Sequence, residues 1–277
     1  MDWSDIVLLI AIAAILVLYL RLIRKNRRLR QLADEANRLR HEAAEEQQRN
    51  RQLKQEMTSN IAHELKTPVT SIRGYLEILL GNKAVDDERR RFYLDRCYSQ
   101  TLRLSDLIQD VSLINKAEES ADLFPKEDVD VRMIAQEAID ELNDKALEKG
   151  VTVSNMLPET MPLFGNHELL YGIFRNLIEN ALAYAGDGIS IVIETYNSTL
   201  NTYYIHFYDT GRGVPDADLA RLFDRFVRID EVRSRRNGGT GLGLSIVKHA
   251  VLFHGGEIYA KNRVDGGLEF FFSLKTK

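Results

Sequence analysis

Cysteine is nearly missing from these 277 residues: Cys97 is the only one. A disulfide framework and a cysteine-rich metal site within one chain are therefore excluded, which suits a reducing compartment. Neither sign of charge dominates. With 37 Lys and Arg against 41 Asp and Glu the formal net charge is -4, so composition gives no reason to expect direct binding of nucleic acid. Glycine and proline are missing between Leu29 and Met57, so nothing there breaks a helix. A P-loop is excluded as well, because the glycine-rich run at 238–244 contains no lysine.

What is present begins with an uncharged run at residues 6–20, IVLLIAIAAILVLYL. Trp3 and Tyr19 suit the two interfaces of a membrane, and Leu22 and Ile23 lengthen the run if Arg21 snorkels. We expect one short transmembrane helix over residues 1–24. A cleaved signal peptide normally has a basic start, whereas Asp2 and Asp5 come first here and the basic cluster follows. Arg21, Arg24, Lys25, Arg27, Arg28 and Arg30 place the following chain in the cytoplasm, with the N-terminus outside the cell (inner) membrane in a single pass. Residues 25–56 then read as a coiled coil. Leu29, Leu32, Ala36, Leu39, Ala43, Leu53 and Met57 follow a heptad seam that Glu46 and Asn50 interrupt. At 1.5 Å per residue this predicts a rod of roughly 50 Å leading into the next helix.

In that helix Met57, Ile61, Leu65, Pro68, Ile72, Leu76 and Leu79 recur every three or four residues, the pattern of one buried seam. His63 lies between Ile61 and Leu65 and so projects into water. An exposed neutral imidazole is a competent nucleophile. Glu64 is placed to accept a hydrogen bond from one ring nitrogen, Thr67 follows one turn on, and Pro68 crowds the carbonyl of Glu64. Gly81 ends the helix, and a turn is expected up to Arg91. A second helix carries Leu94, Cys97, Thr101, Leu104, Ile108, Val111 and Asn115. Two such helices form an antiparallel hairpin that cannot bury both seams alone, which predicts a homodimer joined as a four-helix bundle.

From Phe124 the pattern changes to alternating strands and helices, an α/β domain over 124–277. Strands are expected at 129–131, 151–155, 189–195, 203–208, 256–260 and 268–274, and helices at 132–149, 167–184 and 244–254. Asn176, Asn180 and Tyr184 lie four apart on one stripe: amide oxygens suited to Mg²⁺ beside phosphates, and a ring able to pack on a purine. Asp209, Gly211 and Gly213 form a D-x-G-x-G turn, in which a carboxylate can accept from an adenine amino group while glycines let the base approach. Gly239, Thr240, Gly241, Leu242, Gly243 and Leu244 run into a helix and offer amide hydrogens to phosphate. Residues 222–226 (LFDRF) flank a stretch, 230–237, with the composition of a basic lid.

The string H-E-L-K-T-P at 63–68 resembles the phosphoacceptor box of sensor histidine kinases. The asparagine helix, D-T-G-R-G, F-D-R-F and G-T-G-L-G-L follow in the order and about the spacing of that family, covering residues 57–277. The resemblance implies a dimerisation and phosphotransfer domain over 57–120 and an α/β sandwich of the Bergerat ATP-binding type over 124–277. It implies further that His63 receives the γ-phosphoryl group of ATP, that Glu64 acts as base, and that Thr67 positions water when a response regulator is dephosphorylated. Asn176 and Asn180 would hold Mg²⁺-ATP with Asn180 on the metal, Asp209 would read adenine, and Gly239, Gly241 and Gly243 would lie at the phosphates. Ala183 departs from the family, which often has Lys or Arg there, leaving Arg225, Arg228 or a lid arginine to contact phosphate. Two alternatives stay open: a response-regulator phosphatase, and a non-catalytic ATP-binding membrane scaffold.

Overall fold

The computed structural model describes residues 3–81, 85–119, 124–229 and 240–276; the side chains of most of residues 4–39, of Glu42, Asn50 and Leu53, and of 115–119 lie outside that description. The uncharged run at 6–20 falls mainly among them, as do Leu29, Leu32, Ala36, Leu39 and Leu53 of the heptad seam, so both expectations lie outside the described residues. Among the described residues no helix is long and apolar enough to cross a membrane. The chain divides into two compact units, Met1–Ser59 and Asn60–Lys277.

Helix α1 spans Trp3–Gly81, with Pro68 inside it, and helix α2 spans Asp87–Glu119. Within the second unit the two helices are antiparallel, because their contacts run in opposite directions along the chain. Tyr75 stacks on Tyr93, the Cys97 thiol lies 3.8 Å from the Ile72 carbonyl, and Glu64 meets Arg103. The expected hairpin is therefore present. The turn expected up to Arg91 ends sooner. Asp86 Oδ1 accepts from the Arg89 amide at 2.8 Å, and Asp87 and Glu88 occupy the first turn of α2, where carboxylates favour the positive helix end.

The remaining elements are β1 (Glu127–Asp130), α3 (Val131–Glu148), β2 (Thr152–Met156), β3 (Pro162–Gly165), α4 (His167–Tyr184), β4 (Ser190–Thr199), β5 (Thr202–Asp209), α5 (Asp216–Leu219), α6 (Gly243–Phe253), β6 (Ile258–Asn262) and β7 (Leu268–Lys275). Val131 begins a helix rather than ending a strand, because the Asp130 carboxylate accepts from the amides of Arg132 and Met133 and caps α3. Strand β3 is absent from the sequence expectations. It is four residues long, starts with proline, and exists by antiparallel pairing with β1.

The larger sheet has the order β2-β4-β5-β7-β6, with β2 and β4 parallel and the other neighbours antiparallel. Alternate residues of β5 and β7 (Ile205, Phe207, Phe270, Phe272 and Leu274) are buried, as the period of a strand with one covered face requires. Leu170, Ile173, Phe174, Leu177 and Ile178 of α4 pack into the same core, where Phe174 meets Phe272 edge to face. The result is a layer of helices on a sheet. Burying the apolar stripe of α4 turns its asparagines the other way, toward the site.

Candidate functional site

A cavity of about 930 Å³ lies over the polar side of α4. Asp209, 3% exposed at the close of β5, lines it. Its Oδ1 accepts from the Gly211 amide at 2.8 Å and from the Leu268 amide at 3.4 Å. Burial pushes this carboxyl above its ordinary value, and the two amides and Arg263 pull it back. Tyr184 lines the cavity too, its carbonyl accepting from Arg212 Nε at 3.0 Å and Nη2 at 2.6 Å.

The glycine turn lines the cavity as well. Gly241 has φ of 72° and packs against the Phe226 backbone, which a side chain would meet at 2.9 Å, and the Phe226 amide donates to Gly241 O at 2.8 Å. Gly243 begins α6 so close to α4 that a Cβ would lie 2.6 Å from the Asn176 amide oxygen. Thr240 Oγ1 accepts from the Leu242 amide at 3.2 Å and donates to Asp110 Oδ2 at 3.1 Å.

Asn176, Asn180, Tyr184, Asp209, Gly213, Arg228, Thr240, Gly241, Gly243 and Leu244 all line this cavity. Three other residues of the motifs are placed differently. Gly211 packs on the Ala185 carbonyl, Leu242 is fully buried, and Arg225 Nη2 lies 3.1 Å from His249 Nε2. Gly239 and the 230–237 stretch lie outside the described residues.

His63 is exposed on α1, and Thr67 Oγ1 donates to its main-chain oxygen at 3.3 Å. Glu64 was expected to face the imidazole. Its carboxylate instead accepts from Arg228 Nη2 at 2.6 Å and lies 3.6 Å from Arg103 Nη2. The cavity thus reaches from Asp209 to the arginine that grips the neighbour of His63.

Sequence reasoning missed the contribution of α2: Arg103, Asp106 and Asp110 also line the cavity. Their signal was spacing. They fall three and four apart beside the buried Leu107 and Ile114, a stripe that marks a packed helix face without naming what it packs on. Burial pushes Asp110 up to about 6, against the pull of the Thr240 hydroxyl and Arg175, with Asp106 and Glu179 adding to the rise.

These features suit a nucleotide. A buried carboxylate flanked by glycine backbone can accept from an amino group, and the residues entering α6 line the same cavity. Among the described residues no group of three or more His, Cys, Asp or Glu could hold a metal ion. A cation taken by the Asn180 amide oxygen would therefore depend on phosphate oxygens for its charge, which fits Mg²⁺ arriving with a nucleotide.

Residues 53–120 match the family model of the His Kinase A (phospho-acceptor) domain, and residues 165–277 match that of the histidine kinase-, DNA gyrase B-, and HSP90-like ATPase. The chain belongs to the sensor histidine kinases. Among curated kinases it is 31% identical over 230 residues to the signal transduction histidine-protein kinase BaeS of Escherichia coli, an alignment covering 82% of this chain and 48% of that one. It is 33% identical over 236 residues to the sensor protein kinase WalK of Staphylococcus saprophyticus, covering 84% and 38%. The chain thus spans less than half the length of these two relatives. Its fold is similar to that of the Acinetobacter baumannii histidine kinase AdeS, with TM-score 0.60, 21% identity, and coverage of 78% of this chain and 98% of that one. It is similar also to the histidine kinase ThkA in a complex with the response regulator protein TrrA, with TM-score 0.62, 21% identity, and coverage of 80% and 61%.

Proposed function

We propose that this chain is an ATP-dependent protein-histidine kinase that phosphorylates His63 and passes the phosphoryl group to an aspartate of a response regulator. The observation that carries the reading is the continuity of the cavity. Asp209 and Arg228 line the same cavity, with Arg228 bonded to the residue next to an exposed histidine.

In this reading Asp209 accepts from the adenine amino group and Tyr184 packs on the base. Asn176 and Asn180 orient the phosphates, with Mg²⁺ on Asn180 neutralising their charge. Thr240 and the amides at Gly241 and Gly243 hold the far phosphates, and Arg228 balances charge developing near His63. A ring nitrogen of His63 is the nucleophile, and Glu64, once released by Arg228, takes the ring proton. The partner regulator follows from the phosphohistidine, a linkage labile enough to pass its group onward.

The reading includes a homodimer. Leu76, Leu94 and Ile108 of the hairpin seam remain between 42% and 55% exposed, apolar surface that a second hairpin would cover. It also includes a single-pass anchor at 1–24, a coiled coil at 25–56, a phosphotransfer domain at 57–120 and an ATP-binding domain at 124–277. A second reading, regulator phosphatase, is favoured by one observation: with Glu64 held by Arg228, the base is engaged elsewhere while Thr67 stays exposed one turn from His63. The test is incubation of the full chain with γ-labelled ATP and Mg²⁺ beside His63→Gln and Asn180→Ala. Acid-labile, alkali-stable label that both variants lose is expected; nucleotide binding without any label would overturn the kinase reading.

A further inference from the structure

Three charged side chains from separate parts of the chain meet beside His63. Glu64 on α1, Arg103 on α2 and Arg228 after α5 are 18%, 19% and 16% exposed, although His63 itself is exposed. Arg228 Nη2 lies 2.6 Å from Glu64 Oε2, and Arg103 Nη2 lies 3.6 Å from the same oxygen. Both arginines also line the nucleotide cavity. Guanidinium stays charged under all ordinary conditions, so one carboxylate faces two fixed positive charges.

The two arginines are mounted differently. Arg103 shares with Glu64 an antiparallel hairpin whose register is held by the Tyr75 and Tyr93 stack and by the Cys97 contact with Ile72. Arg228 follows the turn that packs on Gly241, so its place depends on the nucleotide-binding elements. A triphosphate offers a guanidinium more charge and more acceptor oxygens than one carboxylate does. Arg228 therefore has reason to leave Glu64 when the cavity fills, whereas Arg103 is tied to the helix pair that carries both Glu64 and His63.

We propose that Arg103 is a positioning residue for phosphoryl transfer: it keeps the Glu64 carboxylate in place beside His63 while Arg228 exchanges Glu64 for the triphosphate. This rests on the kinase reading. In the step it serves, the lone pair of one His63 ring nitrogen forms the bond to the γ-phosphorus. The bond from that phosphorus to the oxygen bridging the β and γ positions breaks, and its electrons leave on ADP. The proton on the other ring nitrogen passes to Glu64. Arg103 touches neither the phosphorus nor the ring and acts only through Glu64.

The experiment measures autophosphorylation of the full chain against ATP concentration for wild type, Arg103→Gln, Arg103→Lys, Glu64→Gln and the Glu64→Gln, Arg103→Gln double variant, with nucleotide affinity measured separately. Arg103→Gln is expected to lower kcat about 10- to 100-fold while the KM for ATP stays within about threefold, and Arg103→Lys is expected to recover part of the loss. On the Glu64→Gln background Arg103→Gln should cost little more, since the residue it serves is gone. Wild-type kcat in Arg103→Gln overturns the proposal. So does a loss confined to KM, which would make Arg103 a phosphate ligand, or an equal loss with and without Glu64. If wild type binds ATP and never takes label, the kinase reading falls first and this assignment falls with it.

Discussion

Replacing Asp110 with asparagine isolates the contact between α2 and the glycine turn. In wild type the Asp110 carboxylate accepts from Thr240 Oγ1 across 3.1 Å in a largely buried position, and burial raises it from 3.8 to about 6. The packed state therefore holds a proton more readily than a state in which α2 has separated and Asp110 is hydrated. The contribution to packing is fully present below pH 3.8 and is lost as pH rises toward 6, then stays level. A difference of about two pH units corresponds to at most about 3 kcal/mol, reduced by what solvent screening remains at the site. Asp110→Asn keeps an acceptor for Thr240 and carries no charge, so above pH 6 it should hold α2 against α6 up to about 100-fold more firmly than wild type, with no dependence on pH. Hydrogen exchange of the α6 amides, compared between wild type and variant at the same pH, reads this directly. The two should agree only below pH 3.8, begin to separate by pH 4.5 and differ most at pH 8, with the variant better protected. Identical protection at pH 8 would refute the reasoning.

Two further outcomes follow from other parts of the fold. His254 is 3% exposed, and burial lowers it to about 4, with Nε2 accepting from the Asn166 amide at 3.1 Å. Its stabilising effect is complete above pH 6.5 and declines as pH falls through 4, so denaturant midpoints should show a loss of up to about 3 kcal/mol over that window that His254→Leu abolishes. Gly243→Ala should weaken nucleotide binding about tenfold in a titration with a fluorescent analogue, because its methyl group would lie 2.6 Å from the Asn176 amide oxygen and turn that carboxamide out of its place in the cavity; unchanged affinity would mean that the close approach has no part in the site.

Much of the fold was legible because helices and strands announce themselves locally. The seams of α1 and α2 repeat at about 3.5 residues and the inner residues of β5 and β7 at 2, and both follow from backbone geometry alone. The start of α2 was misjudged, because the cap depends on Asp86 turning its carboxylate to a particular amide. Strand β3 was missed, because four residues that begin with a proline pair only when β1 lies beside them. Among site residues the glycines and asparagines stood out by type and spacing. Arg103 and Asp110 did not, since a charged residue on a helix looks the same whether it meets water or a second layer.

The sequence by itself determined the order of the long helices and of the strands other than β3, the stripe of Asn176, Asn180 and Tyr184, and the exposure of His63, all of which depend on residues within a few turns of one another. Tertiary structure alone decided that Arg228 grips Glu64, 164 positions away, and that Thr240 reaches Asp110 across 130. Both pairings were open to every charged or polar neighbour in the chain. They are selected by the packing of apolar side chains elsewhere, the buried Leu107 and Ile114 of α2 among them, which brings the polar groups together as a consequence of burying the others.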